Sequence, residues 1–398
     1  MSTNPNQIIR LAGRGDGVTA DGRFVPMAAP GDTLNADGTI ILGPHRATPP
    51  CRHFSTCGGC QLQHIDDSAY ADYLTARISE ALTAQGVAVP EIAPPHISPP
   101  HTRRRASLRA ERKGRVVTLG FREGKSHKLV DLAECPVMHP ALFALVRPLR
   151  GLLSTLVRDK RGADIRMTLA DQGVDLTIAG VEVEGLAATE ALTDFAARHC
   201  LARLSIDEGY GASPRWEPEP VTVTLGGVAV IMPEGAFLQA TADGEAALVA
   251  AVRSIIGDAT SVADLFAGLG TFTFASARAC HAVEGARDAV LALLSAANRG
   301  VLPVTSEHRD LFRRPLNSAE LARFDAVILD PPRAGATEQV AQLAESAVPR
   351  IAYVSCNPAT FARDAKMLVE GGYTLGKIIP VGQFRWSTHV ELAASFSR

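Results

Sequence analysis

The stretch Val262-Ala-Asp-Leu-Phe-Ala-Gly-Leu-Gly-Thr-Phe-Thr273 decides the fold. Residues 261–265 form a short apolar run of the kind that makes a buried strand. Gly268 and Gly270 then let the backbone turn sharply and leave room for a ligand, and a helix follows. Thr273 stands where a dinucleotide fingerprint has its third glycine, and a cofactor without a pyrophosphate has less need of that full loop. Glu284 follows 20 residues after Asp264, where the next strand should end, and a carboxylate there can accept both ribose hydroxyls. Together these features favour a nucleoside cofactor over a plain tight strand-to-helix turn. Further apolar runs at 326–329 and 351–354 fit buried parallel strands, so the C-terminal part reads as a doubly wound α/β fold.

Three more motifs fall at the ends of these strands, the edge at which open α/β sheets bind ligands. Leu329-Asp-Pro-Pro-Arg333 has two prolines that stiffen a loop, and Asp330 could orient a cofactor or a base. The alternative is a rigid turn with no further role. Tyr353-Val-Ser-Cys-Asn-Pro-Ala-Thr360 puts Cys356 just past a strand and ahead of a helix, where a helix N-terminus lowers a thiol's pKa and favours the reactive thiolate. The alternative is a buried, inert cysteine. In Thr388-His-Val-Glu-Leu392, Glu391 lies in an apolar stretch, and burial would raise its pKa and suit it to proton transfer. His389 is a second candidate, and an edge-strand carboxylate in water is the alternative.

Upstream, Cys51-x5-Cys57-Gly-Gly-Cys60 gathers three cysteines within ten residues, and Cys135 is a possible fourth ligand. In a reducing compartment that pattern points to metal rather than disulfides. A lone CxxC suits an iron–sulfur cluster better than zinc, with zinc and free thiols left as alternatives. Cys200 and Cys280 read as core.

The 398 residues are 46% hydrophobic and 21% charged, which fits a globular chain of two or three domains. We expect no signal peptide and no membrane span, because the start has no long apolar core and no run reaches the ~18 residues a span needs. A cytoplasmic location follows as an expectation, as does a monomer. The net charge of -2 argues against a nucleic-acid partner on average. Residues 101–128 reverse that locally: ten Lys and Arg stand against two Glu, a charge of +8 in 28 residues. Such a block is a candidate phosphate-contacting face, or else a solvated surface hairpin.

Residues 1–49 read as β-rich and turn-rich, a helix is expected over 68–85 with Leu74, Ile78 and Leu82 on one stripe, and the five prolines of 87–100 read as a linker. Strands are expected at 105–109, 116–121, 164–169 and 174–178. A helix over 142–153 should be kinked or interrupted by Pro148. Residues 140–235 hold no catalytic constellation.

From residue 50 onward, six motifs in one order resemble the RNA uracil-C5 methyltransferase family of the bacterial 23S ribosomal RNA and tRNA enzymes. They are CxxxxxCGGCQLQH, FLQAT, DLFAGLGTF, DPPR, SCNPAT and HVE. Residues 7–47 resemble, less closely, a shortened form of the family's TRAM barrel. The resemblance implies three domains: residues 1–49 as an OB-like, TRAM-like RNA-binding β-barrel, 50–235 as an α+β central domain with an iron–sulfur cluster and the basic RNA-binding face, and 236–398 as a Rossmann-like class I methyltransferase domain that uses S-adenosylmethionine. It makes Cys356 the nucleophile and Glu391 the base. It puts Gln239, Phe266, Gly268, Gly270, Glu284 and Asp330 around the cofactor, with Asp310 near the adenine, and makes Cys51, Cys57, Cys60 and Cys135 the ligands of a [4Fe–4S] cluster. Two positions depart from the family pattern: Thr241 and Thr271 stand where Asn is common.

The implied chemistry explains the residue types. C5 of uracil is a poor nucleophile until a thiolate adds to C6 and turns the ring into an enolate; C5 then takes the methyl, a base removes the C5 proton and the thiolate leaves. The target must be unpaired or flipped out. Of the RNAs, 23S rRNA is favoured and the tRNA T-loop is the alternative. A cytosine-C5 enzyme would carry Pro-Cys where this chain has Ser355-Cys356. A non-catalytic iron–sulfur RNA-binding protein would not need both Cys356 and Glu391.

Overall fold

A computed structural model describes residues 4–124, 126–276 and 278–398. By its internal contacts the chain divides into two compact units. One comprises residues up to Leu74, Pro99–Glu219 and Phe384–Thr388; the other comprises Thr75–Ser98, Pro220–Gln383 and His389–Arg398.

The first unit begins with a β-rich module. Strands Ile8–Leu11, Gly17–Thr19 and Phe24–Val25 form an antiparallel sheet, and Thr33–Leu34 pairs with Ile40–Ile41. Ile8, Val25 and Ala28 make a very small core. The buried Asp32 supplements it: its carboxylate accepts from the amides of Ala29 and Gly43 and pairs with Arg46 at 2.6 Å. Polar anchoring of this kind suits a module too small to bury much apolar surface.

The larger part of this unit is a seven-stranded sheet. Its spatial order is Ala212–Trp216, Arg203–Asp207, Gly173–Ala179, Gly162–Ala170, Arg105–Lys113, Val116–Arg122 and Leu129–Asp131. Alternation is visible in Arg105–Lys113, where Ala106, Leu108 and Ala110 are buried between polar neighbours. Helices Val146–Leu156 and Leu186–Arg198 supply apolar faces to the same core. The expected interruption near Pro148 is present, but it lies at Leu145, between helices Pro140–Ala144 and Val146–Leu156. Pro148 sits in the first turn of the second helix, where its missing amide has no intrahelical acceptor to lose.

The second unit holds an eight-stranded sheet in the order Val304–His308, Ala279–Glu284, Ser261–Leu265, Ala326–Leu329, Arg350–Ser355, Glu391–Ser397, Thr374–Gly382, His96–Ile97. The first five run parallel, as the apolar runs implied. Glu391–Ser397 enters antiparallel between Arg350–Ser355 and Thr374–Gly382. Helices such as Ala242–Ile256 and Arg287–Arg299 cover the sheet, so its central strands are buried throughout, Ala326–Leu329 at all four residues. This is the α/β arrangement expected of a class I methyltransferase. Part of the 87–100 stretch is ordered into the sheet, since His96 and Ile97 pair with Val381 and Gly382. The expected helix over 68–85 is Asp67–Ala84, with Leu74, Ile78 and Leu82 fully buried.

Gly120 reports on the packing of the seven-stranded sheet. A Cβ there would come within 1.9 Å of the Val130 carbonyl oxygen and 3.0 Å of the Leu132 side chain. Neither backbone can yield without separating Val116–Arg122 from Leu129–Asp131. Gly120→Ala should therefore lower the unfolding free energy by about 2–3 kcal/mol or more, measured by denaturant titration. A loss under about 0.5 kcal/mol, the range of ordinary surface changes, would contradict this register.

Candidate active site

The strand order reverses between Ser261–Leu265 and Ala326–Leu329, which opens a crevice beyond their C-terminal ends. The chain leaving Ser261–Leu265 turns through Phe266, Gly268 and Gly270, at φ of +63°, +55° and +95°. Phe266 is the costly member, because a side chain in the left-handed region is disfavoured by ~1–2 kcal/mol. Strain of that kind is retained where the surroundings over-determine it, often at ligand sites. Glu284, at the end of the neighbouring strand, fixes the turn: one carboxylate oxygen accepts from the Gly268 amide at 2.9 Å and the other from the Ala286 amide at 2.6 Å. The Phe266 and Phe312 rings lie 5.4 Å apart, and Asp310 accepts from the Phe312 amide at 3.0 Å on the exposed side of the turn.

The missing third glycine has a structural reason. Thr273 lies in the first turn of the helix that follows, and its buried hydroxyl donates to the buried Asp264 carboxylate at 2.5 Å. Burial outweighs that hydrogen bond and pushes the Asp264 carboxyl up to about 7. Gln239 is also buried, and its side-chain oxygen accepts from Gln383 at 2.7 Å. Thr241 caps helix Ala242–Ile256, accepting from the Gly244 amide at 3.1 Å. Asn and Thr both serve as N-caps, so this departure from the family pattern keeps a local function of the position. Thr271 opens helix Thr271–Ser276.

Cys356, Glu391 and Asp330, expected from the sequence to be site residues, gather on the other side of the crevice. Arg350–Ser355 and Glu391–Ser397 pair antiparallel with Ser355 opposite Leu392. One further step in that register sets Cys356 against Glu391. Asp330 follows Ala326–Leu329, the next strand over, and its amide donates to the Leu265 carbonyl at 3.3 Å. Glu391 is buried. Asp330 is enclosed enough that burial, with the charges of Glu391 and Asp264, raises its carboxyl well above the ordinary range.

Cys356 differs from the sequence-based expectation. Helix Pro358–Glu370 does begin beside it, capped by the Asn357 side chain on the Ala359 amide. Yet the thiol's pKa is raised, first by burial and then by the negative charges of Glu391 and Asp330; Arg333 opposes the rise by charge and by a hydrogen bond. Desolvation and two carboxylates outweigh the helix terminus. Sequence reasoning also missed the support of the 330–336 loop. The buried Asp364 accepts from the Ala336 amide at 2.8 Å, from the Tyr353 hydroxyl at 2.6 Å and from Arg363. No local signal marks it, because its partners lie on two other segments.

In the first unit, Cys51, Cys57, Cys60 and Cys135 all line one pocket together with Arg103 and Phe121. Burial raises the thiols of Cys51 and Cys57, and that of Cys60 to about 12. As placed, no group of three or more His, Cys, Asp or Glu side chains among the described residues could hold a metal ion. The basic block is the hairpin Arg105–Lys113 and Val116–Arg122 with its flanks. Not all of its cations face outward: Arg103 donates to the Arg105 carbonyl, Arg109 pairs with Asp164 at 3.0 Å, and Arg112 donates to the Val157 and Gly114 carbonyls. Lys125 lies outside the described residues. Among the described residues, no helix is long and apolar enough to cross a membrane.

Comparison with known proteins agrees with this arrangement. The family model described as tRNA (Uracil-5-)-methyltransferase matches residues 291–398. An uncharacterized RNA methyltransferase of Zymomonas mobilis is 53% identical over 394 residues, covering 98% of this chain and 99% of its own. The 23S rRNA (uracil(1939)-C(5))-methyltransferase RlmD of Halomonas elongata is 32% identical, covering 95% of this chain and 86% of its own. Among solved structures, the Pyrococcus abyssi tRNA (uracil-54, C5)-methyltransferase in complex with S-adenosyl-L-homocysteine superposes with a TM-score of 0.75 at 25% identity, over 98% of both chains. With its fold, its crevice and these full-length relatives in agreement, this chain belongs to the family of S-adenosylmethionine-dependent RNA uracil-C5 methyltransferases.

Proposed function

We propose that this protein methylates C5 of a uridine in RNA, 23S rRNA before tRNA, with Cys356 as nucleophile and Glu391 as base. The observation that carries this reading is the pairing of Ser355 with Leu392, which puts Cys356, just past one strand, beside Glu391, the first residue of the other. S-adenosylmethionine would supply an electrophilic methyl group, with Gln239, Phe266, Gly268, Gly270, Glu284 and Asp330 around it and Asp310 toward the adenine. The Cys356 sulfur adds to C6 of uracil, and the electron pair displaced from the C5–C6 double bond makes C5 the nucleophile. After methyl transfer, the Glu391 carboxylate takes the C5 proton, the C5–C6 double bond re-forms and the C6–S bond breaks. A raised thiol pKa is compatible with this order, because the thiol has to lose its proton only for the step that adds sulfur to C6.

The likeness to RlmD over nearly the whole chain supports a 23S rRNA uridine. A tRNA uridine is the second reading, favoured by the fold-level match to the tRNA enzyme. RNA would be held by residues 1–49 and the outward-facing cations of the basic hairpin, so binding should weaken as salt rises. Nucleosides from 23S rRNA and tRNA should be compared by mass spectrometry between wild-type cells and cells lacking the protein. Loss of 5-methyluridine from rRNA is expected; loss from tRNA alone would move the substrate, and no loss from either would overturn the reading. In vitro, Cys356→Ala should abolish methylation while RNA binding persists. Glu391→Gln should slow turnover by about 10²–10⁴-fold and accumulate a covalent protein–RNA adduct, since the C5 proton has no acceptor. A Glu391→Gln protein of wild-type rate would remove Glu391 from the base role.

We further propose that Cys51, Cys57, Cys60 and Cys135 hold a [4Fe–4S] cluster with a structural role. The donor set supports this, four thiols on one pocket. When bound, the cluster would tie residues 51–60 to Cys135 and neutralise thiols that burial otherwise disfavours as thiolates. Protein purified without oxygen should contain iron and acid-labile sulfide and absorb visible light. Cys60→Ser should lose both and unfold at lower temperature. Stoichiometric zinc without sulfide, or a folded and stable protein free of metal, would refute the cluster.

A further inference from the structure

Arg333 joins the two strand ends that carry the proposed nucleophile and base. Its carbonyl accepts from the Asn357 side-chain amide at 3.0 Å and from the Thr360 hydroxyl at 3.1 Å, so its backbone is fixed to the residues that follow Cys356. Its guanidinium Nη2 meets His389 Nδ1 at 3.2 Å, two residues before Glu391. The guanidinium is also the group near the Cys356 thiol that opposes the rise in its pKa. The other charged groups facing that thiol are Glu391 and Asp330, both acidic. Arg363, on helix Pro358–Glu370, is engaged instead with Asp364 and the Ala334 carbonyl.

Two carboxylates and a thiol therefore crowd one enclosed corner, with Arg333 as the cation turned toward the sulfur. From this geometry we infer that Arg333 is a catalytic residue that stabilises the Cys356 thiolate, and that His389 positions it. The inference rests on the reading of Cys356 as nucleophile. Arg333 takes no proton, because a guanidinium stays charged throughout the accessible pH range. The thiol proton leaves to solvent, which reaches the half-buried sulfur, and the sulfur electron pair thus freed forms the S–C6 bond. The imidazole Nδ1 accepts from Nη2, which turns the guanidinium fork toward Cys356. This assigns His389 a role other than that of the base.

The test reads the thiol directly and needs no methylation. Full-length protein is treated with iodoacetamide across a pH series, and modification of the Cys356 peptide is timed by mass spectrometry. Arg333→Met should move the midpoint of the pH–rate profile up by about one unit and slow alkylation near pH 7 about tenfold. Arg333→Lys should recover part of the loss, keeping the charge without the fork. His389→Leu should give a smaller upward shift, and His389→Gln, which restores an acceptor, should reverse it. A wild-type alkylation profile in folded Arg333→Met, or in folded Arg333→Lys and His389→Leu if the Met variant does not fold, would overturn the inference. Arg333 would then act on the RNA alone, and a rise in KM at unchanged kcat would show it. If wild-type protein methylates no uridine while the alkylation shifts still appear, the uridine reading fails and the pairing of Arg333 with Cys356 stands.

Discussion

One antiparallel register organises the reactive half of this molecule. Because Ser355 opposes Leu392, a strand that ends just before Cys356 meets a strand that begins with Glu391. Inserting an antiparallel strand beside the last parallel one brings the start of one strand to the end of its neighbour. Groups 35 positions apart in the chain then face the same crevice. A wholly parallel sheet would present only strand C-termini there. The fold thus brings the proposed nucleophile and base together without a long loop, each at or next to a strand end, where positions are held more precisely than on loops.

The cofactor side depends on a different device. Its turn departs from a phosphate-binding loop by spending a threonine where a glycine is usual, and the buried Asp264–Thr273 pair fastens the strand to the helix that leaves it. Glu284 binds two backbone amides with its two oxygens, so the turn and the next strand move as one piece. Asp364 does the same for the proline-stiffened loop opposite. Each wall of the crevice is anchored by a carboxylate satisfied by backbone or hydroxyl donors, which is an economical way to hold a loop rigid.

Much of this was legible in the sequence because the signals are local. The β-α rhythm, the glycine turn and the spacing from Asp264 to Glu284 are features of contiguous chain, and the strand Ala326–Leu329 falls where its apolar run begins and ends. The helix expected over 68–85 differs by one residue at either end. What could not be read depends on partners distant in sequence. His96–Ile97 pairs with residues near 381, so proline content alone suggested a linker. Arg333 and His389 are 56 positions apart, and neither carries a local mark of the other. The error over Cys356 has the same origin: the helix terminus beside it is visible in the sequence, whereas the carboxylates that oppose ionisation arrive from other strands.

That shift also bears on how the protein endures its surroundings. Peroxides and other oxidants attack thiolates far faster than thiols, and a sulfenic acid at this position would block the proposed attack on uracil. A sulfur kept protonated between encounters with RNA is chemically quiet. Burial among acids thus favours the protonated form of Cys356, the form that oxidants attack slowly.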